Sequence, residues 1–291
     1  MRRIICKNGS NKLVFGETYS PFVLTDCEGL YEVSSDNNYS DNGMLDGATY
    51  VGAKLRVRNI VLTVKDKSEY GSNRQLLYEV FKPKTLSTLT YEESDNGFEI
   101  KRSIDYYVES IVNNGSGRGN RTTTISLLCL DPNFSDTSYT NVTMTGWNSN
   151  FTFPHAFKNE EFATKVKEKL ISFFNESTID KLGMMITMKA EGSVTNPKVL
   201  SISDDSYIQL GTDSKPLNLI YGDQVEIYTE TNNKNVYLIR EGVKSNINEY
   251  IEEGSKYIQL VAGENVIRYF AKEGEDNLLV SIRFKCKFLG V

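Results

Sequence analysis

The chain has 291 residues, 39% hydrophobic and 24% charged, with a formal net charge of −5. This is a globular composition, and at a prior of about 150 residues per domain the length predicts two domains, each able to bury a core. The acidic balance argues against a nucleic-acid surface. With no long apolar stretch and no signal-peptide core, neither a membrane span nor a secretory leader is expected.

Four cysteines, Cys6, Cys27, Cys129 and Cys286, lie far apart without C-x-x-C spacing, so neither a zinc site nor a disulfide framework is implied. A reducing compartment fits that usage. The basic patches "AKLRVRN" and "GRGNR" are small and read as solvated charges.

In chain order, "SSDNNYSDNG" offers oxygen ligands but lacks the glycine and bidentate glutamate of a calcium loop, and reads as a flexible polar loop. "KLRVRNIVLTVKD" sets Ile60, Leu62 and Val64 on one side of a strand. Its alternation breaks after Val57 at Arg58-Asn59, which suggests a bulge. "SNRQLLYEVFKP" predicts a short helix: Ser72 and Gln75 fit a capping box, Leu76, Leu77, Val80 and Phe81 form a stripe, and Pro83 stops it.

"FEIKRSIDYYVESI" alternates Phe98, Ile100, Ile104, Tyr106 and Val108 against Glu99, Lys101, Ser103, Asp105 and Glu109. It pairs with "RTTTISLLCL" across the glycine-rich loop "NNGSGRGN". Asp131-Pro132 ends that run, because proline has no N–H for a sheet and biases the preceding residue away from helix. Beyond it, "EEFATKVKEKLISFFN" suits helix or strand equally. The short runs "MMITMKA", "KVLSI", "DQVEIYT", "NVYLI", "YIQL", "NVIRYFA" and "LLVSIRFKCKF" then predict an antiparallel sandwich. The last run places Val280, Ile282, Phe284, Cys286 and Phe288 inward.

No catalytic, metal or cofactor site emerges. The single histidine, His155, sits in "FPHAF" and reads as part of an aromatic cluster at a domain junction, where the single Trp147 of "MTGWNSN" is also expected to pack. "GSGRGN" leads into a strand and not into the helix a phosphate loop requires. Glu92-Glu93, Glu160-Glu161 and Glu252-Glu253 are adjacent pairs whose members point to opposite faces of a strand.

The order "ATYVGAKLRVRNIVLTVKD", "SNRQLLYEVFKPK", "STLTYEE", "RSIDYYVESI", "ISLLCLDPNF", then "NSNFTFPHAF", "GSVTNPKVLSI" and "LVAGENVIRYFAKEG" with "FLGV" resembles the siphophage distal tail proteins of Gram-positive phages and phage-like particles. No single motif is specific; the shared order and spacing carry the resemblance.

It implies a mainly β chain. A barrel-like β domain with one short helix would occupy residues 1–133 and assemble into a hexameric ring; a galectin-like antiparallel β-sandwich would occupy residues 134–291. It also favours the strand reading of "KLISFFN" and treats Asn196-Pro197 as a turn. The implied role is a structural hub of a virion tail tip or baseplate, assembled in the host cytoplasm and without enzymatic activity. Its partners would be other copies of itself, the tail tube protein, a tail-tip hub or tail-associated lysin, and receptor-binding proteins. No large insertion resembles the arm that grips such proteins in some relatives. Nucleic acid, membrane, metals and cofactors are not expected.

A head-to-tail contact repeated by rotation closes into a ring. The expected contact lies on the non-core face of "RNIVLTVK" and the exposed part of "DYYVES", at Asn59, Val61, Thr63 and Tyr107. The alternative is a carbohydrate-binding module or adhesion factor that uses the sandwich and the 17 tyrosines.

Overall fold

A computed structural model describes the chain except for residues 1, 45, 69–72, 96, 115–121, 150–162 and 168. The loop "GSGRGN", Ser72 and His155 lie outside the described residues. The chain forms two compact units, Met1–Thr137 with Lys287–Val291, and Ser138–Cys286.

In the first unit the strands are β1 (Arg2–Asn8), β2 (Asn11–Phe15), β3 (Phe22–Glu28), β4 (Ser35–Asp41), β5 (Ala48–Leu55) and β6 (Arg58–Asp66). The α1 helix (Arg74–Val80) follows, then β7 (Ser87–Asp95), β8 (Phe98–Asn114), β9 (Thr122–Cys129) and β10 (Phe134–Asp136). A curled antiparallel sheet runs β2-β1-β7-β8-β9-β6-β3. β8 makes the curl: Phe98–Tyr106 pair with β7, and Tyr107–Asn114 pair with β9.

The register of β8 against β9 shifts between Val108 and Ser110. A bulge at Glu109 thereby resets the two-residue phase, so Ile111 returns to the core side and packs against it. Ile60, Leu62, Val64, Ile125, Leu127 and Cys129 are fully buried on the concave face. Leu77, Val80 and Phe81 join the same core from the helix, and the Phe81 ring stacks 6.4 Å from Phe15. Each such side chain contributes about 1.5–3 kcal/mol, and this burial holds a helix too short to persist alone. The helix begins at Asn73, which makes no side-chain cap; its amide instead donates to Asp66 at 2.8 Å.

β6 carries no bulge at Arg58-Asn59. The strand starts at Arg58, which takes the inward position in phase with Ile60. "SSDNNYSDNG" is likewise not a flexible loop, since it supplies β4, which pairs with β5 in a two-stranded hairpin.

The second unit contains β11 (Thr140–Thr143), β12 (Thr145–Ser149), β13 (Ala163–Lys167), β14 (Leu170–Asn175), β15 (Lys181–Leu182), β16 (Met185–Ala190), β17 (Val194–Ser201) and β18 (Ser206–Gln209). It continues through β19 (Asn218–Leu219), β20 (Gln224–Glu230), β21 (Asn233–Arg240), β22 (Val243–Asn246), β23 (Leu260–Val261), β24 (Gly263–Glu273) and β25 (Leu278–Phe284). A six-stranded sheet runs β11-β25-β16-β20-β21-β22 and a second runs β14-β24-β17-β18, with β19 on β17. Each buries one face: Ile186, Ile227, Val236 and Ile282 from the first, and Val199, Ile208, Ile267 and Tyr269 from the second. The Phe173 and Phe284 rings meet 5.5 Å apart between the sheets. This is sandwich packing.

The ambiguous "KLISFFN" is strand β14, and Trp147 lies in β12, paired with β13. Asn196-Pro197 is no turn but part of β17. Asn196 adopts φ 48° there, and its side chain accepts the Leu217 N–H at 2.9 Å. The final run breaks after Phe284, and the chain re-forms as β26 (Lys287–Phe288), which pairs with β10 in the first unit.

Candidate functional site

Among the described residues no group of three or more His, Cys, Asp or Glu is placed to hold a metal. The acidic pair on β7 is bound into cross-strand ion pairs. Glu92 meets Arg3 at 2.7 Å and Lys101 at 2.9 Å, and Glu93 meets Arg2 at 3.2 Å while accepting the Tyr91 hydroxyl at 2.6 Å. The hydrogen bond from Lys101 holds the Glu92 carboxyl below the usual glutamate range, assisted by Arg3. What remains is a set of surfaces on the first unit suited to contact.

The most prominent is the β4–β5 hairpin, whose two strands pair with each other alone. Apart from Asp36 and Gly52 every residue of both strands is exposed. Tyr39 stands opposite Tyr50, 71% and 67% exposed, and Val51, 69% exposed, is the extra residue of a bulge between Tyr50 and Gly52. An isolated two-stranded hairpin is marginal in water, and this one displays large apolar groups to solvent.

Arg58 anchors the root of that hairpin. It is 6% exposed and donates to five carbonyls: Pro132 (2.8 Å), Gly29 (2.7 Å), Leu30 (3.2 Å), Glu32 (2.7 Å) and Leu289. Its guanidinium also lies 5.0 Å from the Phe134 ring centroid. The five N–H donors of a guanidinium suit it to this convergence, and burial holds its pKa below the ordinary arginine value. Gly29 permits the approach. At φ 85°, a Cβ there would overlap the Asn59 carbonyl oxygen. Beside this hub opens a cavity of about 200 Å³ whose walls include Val33, Leu55, Val57, Pro132 and Leu289.

The residues predicted as contacts share one outward face. Asn59, Val61 and Thr63 alternate with buried Ile60, Leu62 and Val64, and Leu128 aligns with both Asn59 and Tyr107 across β6, β9 and β8. The bulged Glu109 accepts hydrogen bonds there from Asn59 (2.9 Å) and Ser126 (2.7 Å). Val61, Thr63 and Tyr107 are half-buried. Sequence reasoning missed the hairpin and the Arg58 hub. The available signal for the latter was a charged residue in phase with the inward Ile60 and Leu62.

Residues 16–129 match the model of the phage tail protein RIFT-related domain. The structure is similar to the Dit protein of phage SPP1, described as a paradigm of the hub adsorption apparatus in phages infecting Gram-positive hosts. The TM-score is 0.66 at 13% identity, over 98% of this chain and 99% of that chain. It is also similar to a chain of the phage P2 baseplate in its activated conformation with Ca, with TM-score 0.55 and 12% identity over 100% of both chains. No curated protein sequence matches. Residues 16–129 thus resemble a phage tail protein RIFT-related domain, and the chain as a whole has the mainly β fold seen in SPP1 Dit.

Proposed function

We propose that the protein is a structural hub of a phage or phage-like tail tip, in which six copies close into a ring between the tail tube and the tail-tip hub. The observation that carries this reading is the self-paired β4–β5 hairpin, which displays Tyr39, Tyr50 and Val51 on a unit that matches the phage tail domain family. One protomer's hairpin lies against the next protomer's first unit, and Asn59, Val61, Thr63 and Tyr107 lie on the receiving face. Such a heterologous contact closes when its rotation is one sixth of a turn, and each contact should bury about 1,600 Å² or more.

The ring is formed by the first unit, Met1–Thr137 with Lys287–Val291, and the second, Ser138–Cys286, is a galectin-like sandwich. Work of this kind needs repeated shape and no reactive group, so the protein is not an enzyme. The tail tube protein and the hub or tail-associated lysin are the remaining partners; without an arm-like insertion, direct attachment of receptor-binding proteins is not part of this reading. The similarity to hub and baseplate proteins favours this role over a free-standing carbohydrate-binding module.

Light scattering and negative-stain imaging of the purified chain, alone and with tube protein, test the reading. Rings of six support it. A single-chain species that ignores tube protein contradicts it.

A further inference from the structure

The first unit is not built from one continuous stretch, because Lys287–Val291 return to it after all of the second unit. Five contacts hold this strap. Phe288 and Lys287 pair with Phe134 and Ser135 in β10, and Lys287 meets Asp131 at 2.7 Å. Arg102 on β8 donates to the Gly290 carbonyl at 2.5 Å, with its guanidinium 3.6 Å from the Phe288 ring centroid. Val291 packs against the buried core, and Leu289 is held by Arg58.

Arg58 connects the strap to the hairpin. Gly29, Leu30 and Glu32, whose carbonyls it also binds, form the connection from β3 into β4. On the returning side the hairpin leaves β5 through Arg56 and Val57 directly into Arg58, and the Arg56 N–H donates to the Ser34 carbonyl at 3.0 Å. Both legs of the hairpin therefore end at one guanidinium whose remaining donors reach Pro132 and Leu289. Leu289 and Pro132 also share the cavity at the root with Leu55 and Val57.

We infer that the strap Lys287–Val291 sets the root of the β4–β5 hairpin through Arg58, so that the hairpin is held ready for a neighbouring copy once the strap has docked. Residues 287–291 follow the second unit in the chain, so a protomer whose second unit is still being made lacks them and does not present the hairpin in its assembling position. The assembly half of this inference rests on the ring reading above; the coupling of strap to hairpin does not.

The decisive variant is Arg102→Met, which loosens the strap yet alters no group that touches the hairpin. Amide hydrogen exchange would be followed on the single-chain fraction of wild type, Arg102→Met and Arg58→Met. Both variants should exchange at least tenfold faster through residues 34–57, while β20 and β21 keep wild-type protection and serve as the folding control. Assembly should fall in parallel.

If Arg58→Met does not fold, Arg102→Met decides alone. A released strap with unchanged protection at residues 34–57 overturns the inference. A wild type that never assembles refutes the ring reading, and the exchange comparison on single chains still decides the coupling.

Discussion

Arg58 donates a hydrogen bond to the carbonyl of Leu289, 231 positions later in the chain. Around this contact the start of β6, the lead into the β4–β5 hairpin, the exit at Pro132 and the returning strap are held together by one buried side chain. A buried acceptor left without its donor costs about 1–3 kcal/mol. Arg58→Met should therefore destabilise the first unit by about 3 kcal/mol or more in urea unfolding. Arg58→Lys should recover part of this, since an ammonium keeps the charge with fewer and differently directed donors. Equal stability of Arg58→Met and wild type would remove the hub from the account.

Gly29 provides an independent check on the same region. Its φ of 85° and the close approach of the Asn59 carbonyl leave no room for a Cβ. Gly29→Ala should cost more than the roughly 1 kcal/mol of conformational strain alone, because the β3–β4 connection must also shift away from Arg58. A fall in the first unit's melting temperature with an unchanged second transition is the expected result.

The hairpin separates stability from assembly. Tyr39, Tyr50 and Val51 are each more than 60% exposed, so Tyr50→Ser and Val51→Lys should change single-chain stability by no more than about 0.5 kcal/mol. The same substitutions should abolish or greatly weaken association measured by light scattering. Unimpaired association would exclude the hairpin as the contact.

Acid should weaken the first unit through β7. The carboxyls of Glu92 and Glu93 lie below the ordinary glutamate value of 4.5, Glu92 through the hydrogen bond from Lys101 and Glu93 through that from Tyr91. A carboxyl whose folded pKa is depressed contributes stability that is fully present above its unfolded value and disappears as pH falls through the folded one. Unfolding free energy should thus be level near neutrality and decline below about pH 4.5, with a shallower decline in Glu92→Gln. An unaltered pH profile in that variant would show that the ion pairs contribute nothing.

The thiols should be inert until the unit opens. Burial pushes Cys27 and Cys129 up to about 12, and Cys6 higher still. Since the thiolate is the reactive form, none should be alkylated appreciably in the native protein at pH 8, and all should react in urea. Rapid native labelling at Cys6 or Cys129 would mean the curled sheet opens readily.

The long strands were legible from alternation because each buries one face. Ile60, Leu62 and Val64 were read correctly on that ground, as were Ile104, Tyr106 and Val108. The hairpin was not legible for the converse reason. β4 reads Ser-Asp-Asn-Asn-Tyr-Ser-Asp and buries nothing, so no periodicity marks it.

Local sequence also failed where context decides. Tyr-Ile-Gln-Leu occurs at 207–210 and again at 257–260. The run first read as a strand, 257–260, contributes just Leu260 to β23, whereas Ser206–Gln209 form β18 against β17. The difference lies in the neighbouring strand and not in the tetrapeptide. The four outward residues on β6 and β8 were placed on one face by alternation and register, but contact with a neighbour cannot be written into the period of a single strand.

The most direct measurement is a class-averaged electron micrograph of the purified chain, with its mass determined in the same preparation. The account predicts closed rings with sixfold symmetry and six times the chain mass, lost in Val51→Lys. Single chains at every concentration, with tube protein present or absent, would contradict it.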